Sequence, residues 1–127
     1  MNNDSFNQAL RYRLLNILKE EPYLTQKDMA DRMGVSVGKV NYCIKEFTKK
    51  GIVKVKSFRD SRNKKRYLYI LTPKGMEERV KISIRFLKAK MEEYDLIRSY
   101  IKELYNDMDQ SGIEIPRWLK AEVESII

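Results

Sequence analysis

The chain has 127 residues, 43% of them hydrophobic, with 26 Lys and Arg against 18 Asp and Glu, no histidine and a net charge of +8. That length suits one domain, or one small domain with an appendage, and no apolar run approaches the roughly 18 residues of a membrane span. The single cysteine, Cys43, permits no internal disulfide, and without histidine the common metal-ligand clusters and the Ser/His/Asp or Cys/His catalytic sets are excluded.

The expectation is therefore a protein that is not an enzyme and that uses no cofactor or metal. The polar start MNNDSFNQ lacks a signal-peptide core, which points to the cytoplasm. The charge is unevenly placed. Residues 1–72 hold 16 Lys and Arg against 7 Asp and Glu, whereas residues 73–127 hold 10 against 11. A basic field confined to one part of a chain concentrates polyanions there.

In chain order, Ser5 and Gln8 have capping-box spacing, and Phe6, Leu10, Leu14, Ile17 and Leu18 recur at intervals that predict an amphipathic helix. Glu21-Pro22 ends it, because the residue before proline is pushed out of the α region. From Leu24 to Val53 come two helix starts of one design. Thr25 caps the first, with Asp28 three residues on and Leu24 and Met29 as a hydrophobic staple. Gly34 suits a left-handed turn, Ser36 caps the second helix, and Val35 and Val40 repeat the staple. The second helix runs from about Val37 to Lys49, with Val40, Ile44 and Phe47 as its inner stripe and Lys50-Gly51 closing it. The arrangement is a helix-turn-helix.

Alternation from Val53 to Lys56 and the β-formers Tyr67 to Leu71 predict two strands, with SFRDSRNKKR between them as a long basic tip. Three helices followed by such a hairpin make a winged helix. Thr72-Pro73 then starts another helix, with the proline at its first position. Its apolar residues Val80, Ile84, Leu87, Met91, Tyr94, Ile97, Ile101, Leu104 and Met108 are three or four apart, a coiled-coil-like seam with one phase slip. A helix of this reach is about 50 Å long and a chain this small cannot cover it, so Ile84, Leu87, Met91, Tyr94, Ile97, Ile101 and Leu104 are assigned to a homodimer seam. Packing of that seam inside a compact bundle is the alternative. Ser111-Gly112 breaks the helix, and residues 116–127 form a short final helix with Trp118, Leu119, Val123 and Ile126 as its apolar members, folding back onto the long one.

The fold class expected is thus mainly α with a two-stranded hairpin: a winged helix-turn-helix domain over residues 1–72 and a helical dimerisation region over 73–127. The segments SVGKVNYCIKEFTKKGIVKV and RYLYILTPKG, the latter ending in Leu-Thr-x-x-Gly, carry a further observation. From Leu24 to Gly75 the chain resembles the winged helix-turn-helix of MarR-family transcriptional regulators, in particular the short subgroup associated with exopolysaccharide gene clusters.

The resemblance implies a homodimeric regulator of transcription that binds double-stranded DNA, with the second helix of the motif in the major groove and the wing near the minor groove. Ser36, Val37, Lys39, Asn41, Tyr42 and Lys45 then face DNA, and Arg59, Arg62, Asn63, Lys64, Lys65 and Arg66 form the wing contacts. Two departures stand out. The family's Asp-Arg-Arg wing motif falls on Asn63-Lys64-Lys65, with Asp60 and Arg62 just upstream. The additional N-terminal helix of long-form members has no counterpart, so no small-molecule effector is carried over. A second reading keeps the winged helix as a protein-protein module whose basic surface meets an acidic partner.

Overall fold

The computed structural model describes the backbone of residues 3–127 and the side chains from Asn7 onward. The expected Ser5 cap and the Phe6 position lie outside the described side chains. Among the described residues the elements are α1 (Asn3–Glu20), α2 (Gln26–Met33), α3 (Val37–Lys49), β1 (Val53–Arg59), β2 (Lys65–Leu71), α4 (Pro73–Gln110) and α5 (Arg117–Ile126). The chain divides into two compact units, Met1–Phe86 and Leu87–Ile127.

In the first unit the local signals act as the residues dictate. The Thr25 hydroxyl accepts from the Asp28 amide and the Asp28 carboxylate accepts from the Thr25 amide, a closed capping box. Gly34 ends α2 at φ 67°. The Ser36 hydroxyl then accepts from the Lys39 amide at 3.1 Å and starts α3. The helices close on one core of Leu10, Leu14, Leu15, Leu18, Met29, Ala30, Met33, Val40, Cys43, Ile44, Phe47, Ile52, Val53, Tyr69 and Ile82. Each large member contributes about 1.5–3 kcal/mol by burial. Leu15 widens the α1 stripe beyond the expected positions, and Ile82 carries the start of α4 into the same core.

Polar ties join elements that are distant in sequence. Arg11 donates to Glu46 at 2.7 Å between α1 and α3, and Arg13 donates to the carbonyls of Arg32 and Met33 at the end of α2. The Tyr69 amide donates to the Pro22 carbonyl at 2.9 Å, fixing β2 against the α1–α2 connection. Tyr12 stacks on Phe86 at 5.0 Å, and Arg79 donates to Asn16.

The strands pair antiparallel from Val53 with Leu71 to Arg59 with Lys65. They are longer than the hydrophobic alternation indicates. Ser57–Arg59 and Lys65-Arg66, expected in a long tip, belong to the ladder, because its outer part is solvated and backbone hydrogen bonds between the strands need no apolar face. The segment between the strands shortens to Asp60–Lys64, where an Asp60–Lys64 backbone bond closes a turn at Ser61–Asn63.

In the second unit, α4 ends at the Ser111-Gly112 turn, where Gly112 has φ 77°. α5 returns to α4, and Arg98 donates to the terminal carbonyls of Ile126 and Ile127. Val123 is buried and Leu119 and Ile126 are half-buried. Trp118, expected on the apolar face of α5, is instead 69% exposed, because α5 turns its Val123 side inward. No described helix is long and apolar enough to cross a membrane.

Candidate nucleic-acid interface

α3 is positioned by its inner stripe. Val40, Cys43, Ile44 and Phe47 are buried, so helical geometry turns the opposite side outward. Ser36, Val37, Lys39, Tyr42 and Lys45 are exposed, and Asn41 is half-buried at the edge facing the hairpin. All six residues assigned from sequence therefore lie along the outer surface of α3, with Tyr42 67% exposed. Glu46 is the only acidic residue in α3, and its carboxylate accepts from Arg11 at 2.7 Å and Lys50 at 3.2 Å. That pairing leaves the outer face cationic.

The wing is ordered from within by one carboxylate. Asp60 accepts from the amides of Arg62 and Lys64, both at 2.9 Å, and from Arg66 Nε at 3.0 Å. Its amide donates to the Lys64 carbonyl and its carbonyl accepts from the Asn63 amide. Asn63 occupies the left-handed region at φ 61°, the conformation a three-residue hairpin loop requires of its last residue. The Lys64 amide first, then Arg66, holds the Asp60 carboxyl below its ordinary value. The carboxylate that orders this loop is Asp60, three positions before Asn63.

The six wing residues assigned from sequence divide by what they touch. Arg59 donates to the Asn63 carbonyl at 3.0 Å, Arg66 to Asp60, and Asn63 shapes the turn. Arg62, Lys64 and Lys65 are exposed around them, and the Lys65 ammonium lies 5.6 Å from the Tyr67 ring centre. Residues outside the sequence assignment, Thr48, Lys49, Val55 and Tyr67 among them, border a cleft of about 540 Å³ between α3 and the hairpin. The spacing of Asn41, Lys45 and Lys49 was the available signal.

The seam residues Ile84, Leu87, Met91, Tyr94, Ile97 and Leu104 are exposed on α4, Leu87 at 60% and Leu104 at 65%, and Ile101 is half-buried. Cys43 lies on the inner face of α3, where burial pushes its thiol pKa up. Its thiolate is disfavoured, as for a buried structural cysteine. Among the described residues no group of three or more Cys, Asp or Glu is placed to hold a metal ion.

Residues 8–54 match the model of a winged helix-turn-helix DNA-binding family. No curated protein sequence matches the chain. Similar solved structures include a PadR-like transcriptional regulator from Bacillus cereus, 18% identical with a TM-score of 0.61, covering 75% of this chain and 97% of that one. The PcaV transcriptional regulator from Streptomyces coelicolor, in complex with its natural ligand, is 19% identical with a TM-score of 0.57, covering 80% and 70%. A MarR-family transcriptional regulator from a Rhodococcus species is 20% identical with a TM-score of 0.56, covering 80% and 71%. The chain thus has a winged helix-turn-helix fold, similar over residues 8–54 to a DNA-binding family and shared with MarR-family and PadR-like regulators.

Proposed function

We propose that the protein is a sequence-specific, double-stranded-DNA-binding transcriptional regulator of the MarR type, acting as a homodimer. One observation carries the reading: α3 presents a mostly polar, cationic face beside a basic wing, while Glu46 of α3 and Asp60 of the wing are both paired. Such a surface attracts a polyanion, and a helix beside a hairpin matches a major groove next to a minor one. In this reading Lys39 and Asn41 reach base edges, with Ser36, Val37, Tyr42 and Lys45 around them. Arg59, Arg62, Lys64, Lys65 and Arg66, on a turn shaped by Asn63, meet phosphates.

The dimer rests on the exposed stripe of α4. Large apolar side chains at Leu87, Met91, Ile97 and Leu104 favour self-association when left in water, and a two-fold pair is the commonest closed solution. Control of exopolysaccharide genes is proposed from the resemblance of the α3 and β2–α4 segments, and no small-molecule effector is assigned. The test is an electrophoretic mobility shift against genomic fragments with competitor DNA, followed by selection from a random pool. A discrete shift and an enriched inverted repeat are expected. Absence of any duplex binding, with capture of an acidic protein instead, overturns the reading in favour of a protein-protein module.

A further inference from the structure

Two clefts meet beneath the wing. The first, about 540 Å³, has Asn41, Lys45, Thr48 and Lys49 of α3 on one side and Val55 and Tyr67 on the other. The second, about 390 Å³, is bordered by Tyr23, Thr25, Lys65 and Arg66. Both include Gln26, Tyr67 and Tyr69, so they form one trough passing over the Tyr67–Tyr69 pair, whose rings stack at 6.3 Å. Cations stand on both rims, and among the described residues neither cleft is lined by Asp or Glu.

We infer that this trough seats one sugar-phosphate strand of the duplex, with Lys45 and Lys49 holding a phosphate and the Tyr67 ring lying against the adjoining deoxyribose. The inference rests on the DNA-binding reading above and deepens it. Adjacent major and minor grooves are separated by a single backbone strand. A protein with α3 in one groove and its wing in the other must straddle that strand, and the space between α3 and the hairpin is the trough. The chemistry fits the alternation of charge and apolar sugar along a strand. Lys45 and Lys49, four residues apart, project from the same side of α3. Val55 and Tyr67 supply an apolar wall opposite them.

The rest of the trough is preset. The Thr48 hydroxyl donates to the Ile44 carbonyl at 2.7 Å, so its proton is already used within α3. Gln26 donates to the Tyr69 hydroxyl at 3.4 Å, tying α2 to the floor. A backbone strand therefore meets a formed surface whose charged groups are the two lysines on one rim and Lys65 and Arg66 on the other.

The experiment uses the full chain and its selected duplex, with single phosphates replaced one at a time by neutral methylphosphonate. One position per half-site should weaken wild-type binding about tenfold, as for a hydrogen bond to a charged group. In Lys49→Ala that position should have a clearly smaller effect, and in Lys45→Ala with Lys49→Ala none, while other phosphates keep theirs. Lys45→Ala with Lys49→Ala should lower the magnitude of the log-log salt slope by about 0.9 for each phosphate no longer neutralised. Tyr67→Ala should weaken binding and Tyr67→Phe preserve it. Equal methylphosphonate profiles for wild type and Lys49→Ala, with specific binding intact, overturn the seat while leaving the DNA-binding reading standing. Failure to bind any duplex removes both. These side chains are exposed, so unchanged thermal unfolding of the variants separates weakened DNA binding from a damaged fold.

Discussion

A Cβ built on Gly75 falls 2.0 Å from the carbonyl oxygen of Ile52, so α4 can start where it does only because residue 75 has no side chain. The same carbonyl accepts from the Thr72 amide at 3.1 Å, and the Thr72 hydroxyl accepts from the Gly75 amide at 2.9 Å. The Leu-Thr-x-x-Gly pattern is thus a cap and a close approach in one, joining the wing's last strand to the helix that follows.

Gly75→Ala should therefore destabilise the fold by about 1–3 kcal/mol through overpacking, despite the helix preference of alanine. Gly38 is the control. It is exposed in the first turn of α3, with only the Ser36 hydroxyl near a built Cβ, at 3.9 Å. Gly38→Ala should be neutral or stabilising by up to about 1 kcal/mol. Denaturant unfolding of the two variants measures the contrast, and equal stability of both would contradict the close-approach argument.

Asp60 makes the order of the wing dependent on pH. Its carboxyl is depressed in the folded state, so its contribution is complete above the unfolded value of about 3.9 and is lost as pH falls through the lower folded value. Amide exchange at Arg62 and Lys64 should accelerate over that acid window beyond the intrinsic rate, and Asp60→Asn should show the faster exchange already at neutral pH. Unchanged protection in Asp60→Asn would assign the loop's order to Asn63 and the ladder alone.

Asn41 and Lys39 should read bases. Asparagine pairs bidentately with adenine and lysine reaches guanine, so Asn41→Ala should relax preference at one position of each half-site by about 1–3 kcal/mol. Lys64→Ala with Lys65→Ala should instead weaken all sequences alike and lower the magnitude of the salt slope by about 0.9 per phosphate left without its cation. Random-pool selection with the variants distinguishes these outcomes. An Asn41→Ala pool with the wild-type order of preference rejects the base assignment.

Leu87→Glu with Ile101→Glu should abolish the proposed dimer, because each places a charge within the apolar stripe of α4, at exposed Leu87 and half-buried Ile101. Sedimentation equilibrium should show a wild-type dimer and a variant monomer with weak, half-site affinity. The operator should be an inverted repeat with half-site centres about 10–10.5 base pairs apart, or a multiple. A wild-type chain that stays monomeric at micromolar concentration and still binds tightly defeats the homodimer proposal.

What the sequence determined by itself is whatever residues within four positions of one another decide. Thr25 with Asp28, Ser36 with Lys39 and Thr72 with Gly75 are caps closed between near neighbours, and Gly34 needs only its own backbone freedom. They place α2, α3 and α4 from the residues alone, and the buried stripe of α3 then assigns its outer face.

The tertiary structure decided what depends on groups far apart in the chain. No local pattern joins Arg11 to Glu46, Tyr69 to Pro22, or the space lacking a Cβ at Gly75 to the Ile52 carbonyl. Ser57–Arg59 lack the alternation that marks a half-buried strand, and they pair because Asp60 closes the loop and the partner strand supplies the hydrogen bonds. The trough likewise exists only once Lys49 of α3 and Tyr67 of β2 border one space. Periodicity records which face of an element is apolar, whereas long-range packing sets which surface meets it, as Trp118 left outward on α5 shows.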